Sequence, residues 1–141
     1  MKKVFLSYKH DDRKYLNDIK AIRLNPNSRV EFIDWSLSEP VLNSYGHINR
    51  RPPFDPYSNS VNNKIFSLIS EADKMLVLIG NNTHSSEWVQ WEIKTFRKIK
   101  SDSDILLMRT KGDFYSGCPP IAQDLAVLDW SIDRLMNFIE G

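Results

Sequence analysis

The chain has 141 residues, the length of one domain with a real core, and carries 19 basic against 18 acidic residues. That balance gives no reason to expect nucleic acid or an anionic membrane as partner, and no apolar run approaches the ~20 residues of a membrane span. The lone Cys118 excludes an internal disulfide framework and fits a reducing cytoplasm, while His10, His47 and His84 lie too far apart for a metal-ligand motif.

Val4-Phe5-Leu6-Ser7-Tyr8 reads as a first strand rather than a signal peptide, because polar Lys9 to Asp12 follows the short apolar run at once. Asp11 or Asp12 can cap a helix in which Tyr15, Leu16, Ile19 and Ile22 recur at helical spacing, up to a stop at Asn25-Pro26-Asn27. Val30 to Ile33 is a second short strand, leading into Asp34-Trp35-Ser36. From Ser36 to Tyr57 periodicity is lost, and Pro40, Gly46, Pro52, Pro53 and Pro56 appear. A loop of that length suits a lid, a partner-binding element or an insertion. Asn59 or Ser60 then caps a helix whose stripe is Val61, Ile65, Leu68, Ile69 and Ala72.

Met75 to Gly80 is an apolar run closed by a turn cluster, as expected of a strand buried on both faces. Ser85 and Ser86 offer N-caps for the helix that follows, with Glu87 in the first turn, where the helix dipole favours negative charge. At 100° per residue, Trp88, Val89, Trp91, Ile93, Phe96 and Ile99 form one apolar arc, and Glu92 falls in its middle. A carboxylate there is costly unless something offsets its burial. Either it pairs with a basic side chain or stays wet at the rim, or it lines a cleft beside Trp88 and Trp91, its pKa raised, and acts on a ligand. Asp104 to Met108 is another buried strand, Thr110 to Pro120 a loop, and Ala126 to Leu128 a last strand. A closing helix capped by Asp129 or Ser131 carries Leu135, Phe138 and Ile139 on one face.

Strands alternate with helices, which predicts an α/β domain over residues 1–141: a flavodoxin-like parallel sheet of about five strands with helices on both faces. Ligands in such folds sit beyond the carboxyl ends of the strands. Those ends are Ser7-Tyr8-Lys9-His10, Asp34-Trp35 and Gly80-Asn81, and Glu92 lies on the helix entered from the third. A phosphoacceptor reading needs an Asp at the third strand end and meets Gly80-Asn81 instead. Gly-rich phosphate cradles and a serine nucleophile elbow are absent, and Cys118 has no activating neighbour. His84 reads as a turn residue or a ligand contact; Asp34 and Trp35 read as capping and packing residues or as site residues.

Val4 to Tyr8 with Asp12, and Leu76 to Gly80 with Ser86-Glu87-Trp88-Val89-Gln90-Trp91-Glu92-Ile93, resemble the opening strand and the central strand–helix unit of TIR-like domains. The resemblance is nearest to the prokaryotic TIR-like branch that includes the Thoeris antiphage sensor proteins. It implies cleavage of NAD at the nicotinamide–ribose bond, with NAD as substrate rather than cofactor, and an ADP-ribose-derived signal for a partner effector. Glu92 takes the catalytic position. Ser7, Tyr8, His10, Asp34, Trp35, Asn81 and Trp88 become the expected substrate-binding set. Self-association is implied for activity. The segment Ser36 to Tyr57 follows no alignable pattern of the family, so residues that select the product stay unassigned.

Overall fold

Strand β1 (Lys2–Ser7) is hydrogen-bonded on both sides, to β2 (Val30–Ile33) and to β3 (Lys74–Ile79). With β4 (Ile105–Arg109) and β5 (Val127–Leu128) they form a parallel five-stranded sheet in the order β2-β1-β3-β4-β5. This is the doubly wound order expected from the strand–helix alternation. The computed structural model describes residues 1–26, 29–34, 53 and 59–141, with positions 10, 59 and 60 described by their backbone alone.

Every residue of β3 is buried, as a strand covered on both faces requires. The period of two along each strand divides the core. Val4, Leu6, Tyr8, Leu76, Leu78, Leu106 and Met108 point to one face, where helices α1 (Leu16–Lys20) and α4 (Ile132–Glu140) bring Leu16, Ile19, Leu135 and Ile139. Phe5, Met75, Val77, Ile79 and Leu107 point to the other. That face is covered by α2 (Asn59–Glu71) and α3 (Glu87–Ile99), through Ile65, Ile69, Val89, Ile93 and Phe96. Of the two serines before α3, Ser86 is the cap: its Oγ accepts from the Val89 N–H at 3.3 Å. Ser131, not Asp129, caps α4 in the same way, accepting from the Arg134 N–H at 3.2 Å.

Three expectations need correction. Neither Asp11 nor Asp12 caps the first helix. The chain passes from Lys9 straight into a 3-10 turn (His10–Tyr15), and only five residues of α-helix follow before a second 3-10 turn (Ala21–Leu24). The Asp12 carboxylate is held elsewhere, by the Thr83 hydroxyl. The buried stripe of α3 is also narrower than predicted. Ile99 is exposed and outside the core, and Trp88 and Trp91 are half-buried at its margins, while Val89, Glu92, Ile93 and Phe96 lie inside. Finally, β5 begins at Val127 rather than Ala126, and β4 at Ile105 rather than Asp104. The expected loop over residues 36–57 lies outside the described residues apart from Pro53, whose carbonyl accepts from Asn62 Nδ2 at 2.6 Å.

Gly80 ends β3 with no room for a side chain. An added Cβ would lie 2.7 Å from Asp12 Cγ, because the turn after β1 folds directly over the end of β3. The Gly80 N–H donates to Thr83 Oγ1 at 2.8 Å, and that hydroxyl reaches both Leu78 O and Asp12 Oδ2. Gly80→Ala is therefore expected to destabilise the fold by about 1–3 kcal/mol through overpacking. In an Asp12→Ala background the same substitution should cost much less; additive thermal-denaturation shifts in the double mutant would refute the contact as its cause.

Candidate functional site

The sheet order reverses between β1 and β3, the switch point beyond whose carboxyl ends such folds bind ligands. Ser7 is the last residue of β1 and, by the strand alternation, faces α3. On α3, Glu92 is one turn beyond Trp88 and points back at the sheet. Ser7 Oγ donates to Glu92 Oε1 at 2.9 Å, and both residues are 0% exposed. The two residues, 85 positions apart in sequence, thus meet in the core at the switch point. The indoles of Trp88 and Trp91 stand edge to face, with ring centroids 5.8 Å apart, along the margin of the same helix face. These aromatic walls lower the local dielectric around a carboxylate.

Tyr8, the next residue, goes to the opposite face. Its hydroxyl donates to Asp34, and Asp34 Oδ2 also receives Lys20 Nζ at 2.6 Å. Burial first, then the Asp34 hydrogen bond and the nearby charges of Asp34 and Glu92, hold the Tyr8 phenol far above the usual tyrosine range. Tyr8 is thus a neutral hydrogen-bond donor at any physiological pH. Lys20 was not legible as a partner: nothing in the helical stripe distinguishes it from a solvated lysine.

Of the expected site residues, the structure brings Ser7 and Glu92 into contact, sets Trp88 beside them, and places Tyr8 and Asp34 together on the α1 side. Asn81 goes elsewhere. It is exposed beyond β3, its Oδ1 accepts from Ser116 Oγ at 3.3 Å, and it lines a separate cleft on the α1 side. His84 is exposed in the turn before α3. The side chain of His10 and all of Trp35 lie outside the described residues. Among the described residues, no three His, Cys, Asp or Glu side chains gather as a metal site, and no helix is long and apolar enough to cross a membrane.

Residues 5–114 match the family described as "Thoeris protein ThsB, TIR-like domain". No curated protein matches the chain. Among solved structures, the crystal structure of a prokaryotic SEFIR domain resembles it over 100% of both chains, with a TM-score of 0.61 at 17% identity. At that identity the likeness speaks for the fold alone.

Ser7→Ala removes a buried donor to Glu92 and should cost about 1–3 kcal/mol in chemical denaturation; a loss below ~0.5 kcal/mol would deny the bond its structural weight. Asp12 supplies a pH test. Burial raises its carboxyl above the usual aspartate range, against the Thr83 hydrogen bond that lowers it. A raised acid pKa means that the folded chain holds the proton longer than the unfolded one. Its stabilising effect is present below the unfolded pKa and is lost as pH rises through the folded one. Wild type should therefore lose stability relative to Asp12→Asn as pH rises from ~3.8 toward neutrality, and parallel stability–pH curves would contradict this.

Proposed function

This chain belongs to the TIR-like domain family of the Thoeris protein ThsB, and from that membership we propose that it is an NAD-cleaving enzyme of antiphage defence with Glu92 as its catalytic residue. The observation that carries the reading is the Glu92 carboxylate, sunk into the apolar face of α3 at the switch point and held by Ser7. Cleavage breaks the bond between the ribose C1′ and the nicotinamide nitrogen, and the bonding pair leaves with neutral nicotinamide. The ribosyl group becomes an oxocarbenium-like cation, which a carboxylate stabilises by charge and by accepting from a ribose hydroxyl. Attack at C1′ by water, or by another hydroxyl or ring nitrogen, then gives ADP-ribose or a derivative, with loss of a proton. The derivative acts as a diffusible signal for an effector, in the cytoplasm that a single free thiol suits.

Glu92 has no exposed surface, so substrate reaches it only after its surroundings shift. That requirement suits an enzyme kept silent until a cue or self-association rearranges these surroundings. The same burial, with the bond to Ser7, favours a second reading in which Glu92 is a structural clamp of a non-catalytic TIR-like interaction or nucleotide-sensing module. NAD consumption by concentrated protein, with products resolved by mass spectrometry, separates the two. Glu92→Gln keeps the shape and should lower turnover at least ~100-fold while thermal stability stays near wild type. Equal NAD consumption in the two proteins would sink the catalytic role.

A further inference from the structure

A cleft opens at the same edge of the sheet, on the α1 side, and neither Ser7 nor Glu92 lines it. Its volume is about 470 Å³, within the ordinary range for small-molecule sites. The turn after β1 supplies Lys9, Asp11, Asp12, Lys14 and Tyr15; the end of β3 supplies Asn81 and Asn82; the turn after β4 supplies Thr110 to Asp113 and Tyr115.

The lining carries three lysines and three aspartates, but the two sets are differently engaged. Asp113 is tied into its own turn, accepting from the Tyr115 and Ser116 N–H groups and the Ser116 hydroxyl. Asp12 accepts from Thr83 behind the cleft wall. Asp11 has Lys9 at 4.0 Å. By contrast, among the described residues neither the Lys111 nor the Lys14 ammonium is in an ion pair; Lys14 lies 5.2 Å from the Tyr15 ring centroid and acts on Asp12 only at longer range. The cleft therefore offers two cations outside any ion pair among the described residues, one from the turn after β1 and one from the turn after β4.

The rim is shaped for approach. Gly112 turns with φ +86°, and a Cβ there would meet nothing within 4 Å, so the turn leaves open space beside Lys111. Tyr115 projects 93% exposed and Phe114 60% exposed from the same loop. The protein core makes little use of either ring.

We propose that this cleft binds a nucleoside diphosphate, with the phosphates on Lys14 and Lys111, the ribose hydroxyls on Asn82 and Asp11, and the base against Tyr115. Each group answers one part of that ligand: lysine a phosphate charge, carboxylate and amide a diol, an exposed ring a base. The site is independent of cleavage at Glu92. Neither Ser7 nor Glu92 lines it, though Lys9 follows Ser7 and Tyr8 directly in the chain.

The test is an amide-resolved NMR titration of the wild-type chain with ADP, with inorganic pyrophosphate as a second probe. ADP should shift the amides of Asn81, Asn82, Lys111, Gly112 and Asp113, and Lys14→Glu/Lys111→Glu should weaken it at least tenfold. Both lysines are exposed, so that variant should keep the wild-type melting temperature. Tyr115→Ala should weaken ADP several-fold and leave pyrophosphate unchanged. Shifts confined to the surroundings of Ser7 and Glu92, no saturable shift at all, or unchanged ADP affinity in the lysine variant would each overturn the site. Pyrophosphate binding as tightly as ADP, with no effect of Tyr115→Ala, would overturn the nucleotide assignment.

Discussion

Two successive side chains at the end of β1 are sent to opposite faces of the sheet, and the chemistry of the carboxyl edge is arranged around that divergence. Ser7 reaches α3 and fixes one oxygen of Glu92, while Tyr8 reaches the α1 side and fixes Asp34. The divergence follows from the period of two in an extended chain. It works only because β1 is held by hydrogen bonds to both β2 and β3, so its register cannot slip. A one-residue slip would bury the phenol under α3 and send the serine to the other face. The polar groups at this edge are thus consequences of strand pairing more than of local sequence.

Much of the fold was legible because its signals are local. The apolar run Met75 to Ile79 of β3, the serine caps and the stripe of α2 each satisfy a rule readable within a dozen residues. Glu92 was legible as an anomaly, a charge centred on an apolar arc, and the structure keeps it there. What the sequence hid is relational. Lys20 pairs with Asp34 across two elements, and Asp12 closes on Gly80 and Thr83 instead of capping a helix. A capping residue and a residue packed against a distant glycine look alike in sequence, since both are short acids after a strand. The error over Ile99 has the same root: a helical wheel assigns an angle to a residue but does not say where the neighbouring surface ends.

The edge holds two kinds of environment within a few residues of each other. On the α3 side a carboxylate is surrounded by apolar and aromatic groups, where fields are strong and water is scarce. On the α1 side the cleft is polar, open and lined by mobile-length lysine side chains, where attraction is screened and binding is correspondingly modest. The first suits stabilising a transient cation; the second suits holding an intact anion.

The pairing of β1 with β3 also dictates when the protein can become itself. Val4 lies beside Lys74, and the Lys3 N–H donates to Asp73, 70 positions later in the chain. A ribosome adding about 5–20 residues per second needs roughly 4–14 s to cover that interval. Throughout it, the Val-Phe-Leu segment of β1 has its β3 edge unpaired and apolar, the kind of edge that recruits other chains. Nascent copies on neighbouring ribosomes would carry the same exposed edge at the same moment. The non-local order of the sheet therefore makes early synthesis the interval in which this protein is most exposed to misassembly and most in need of a chaperone.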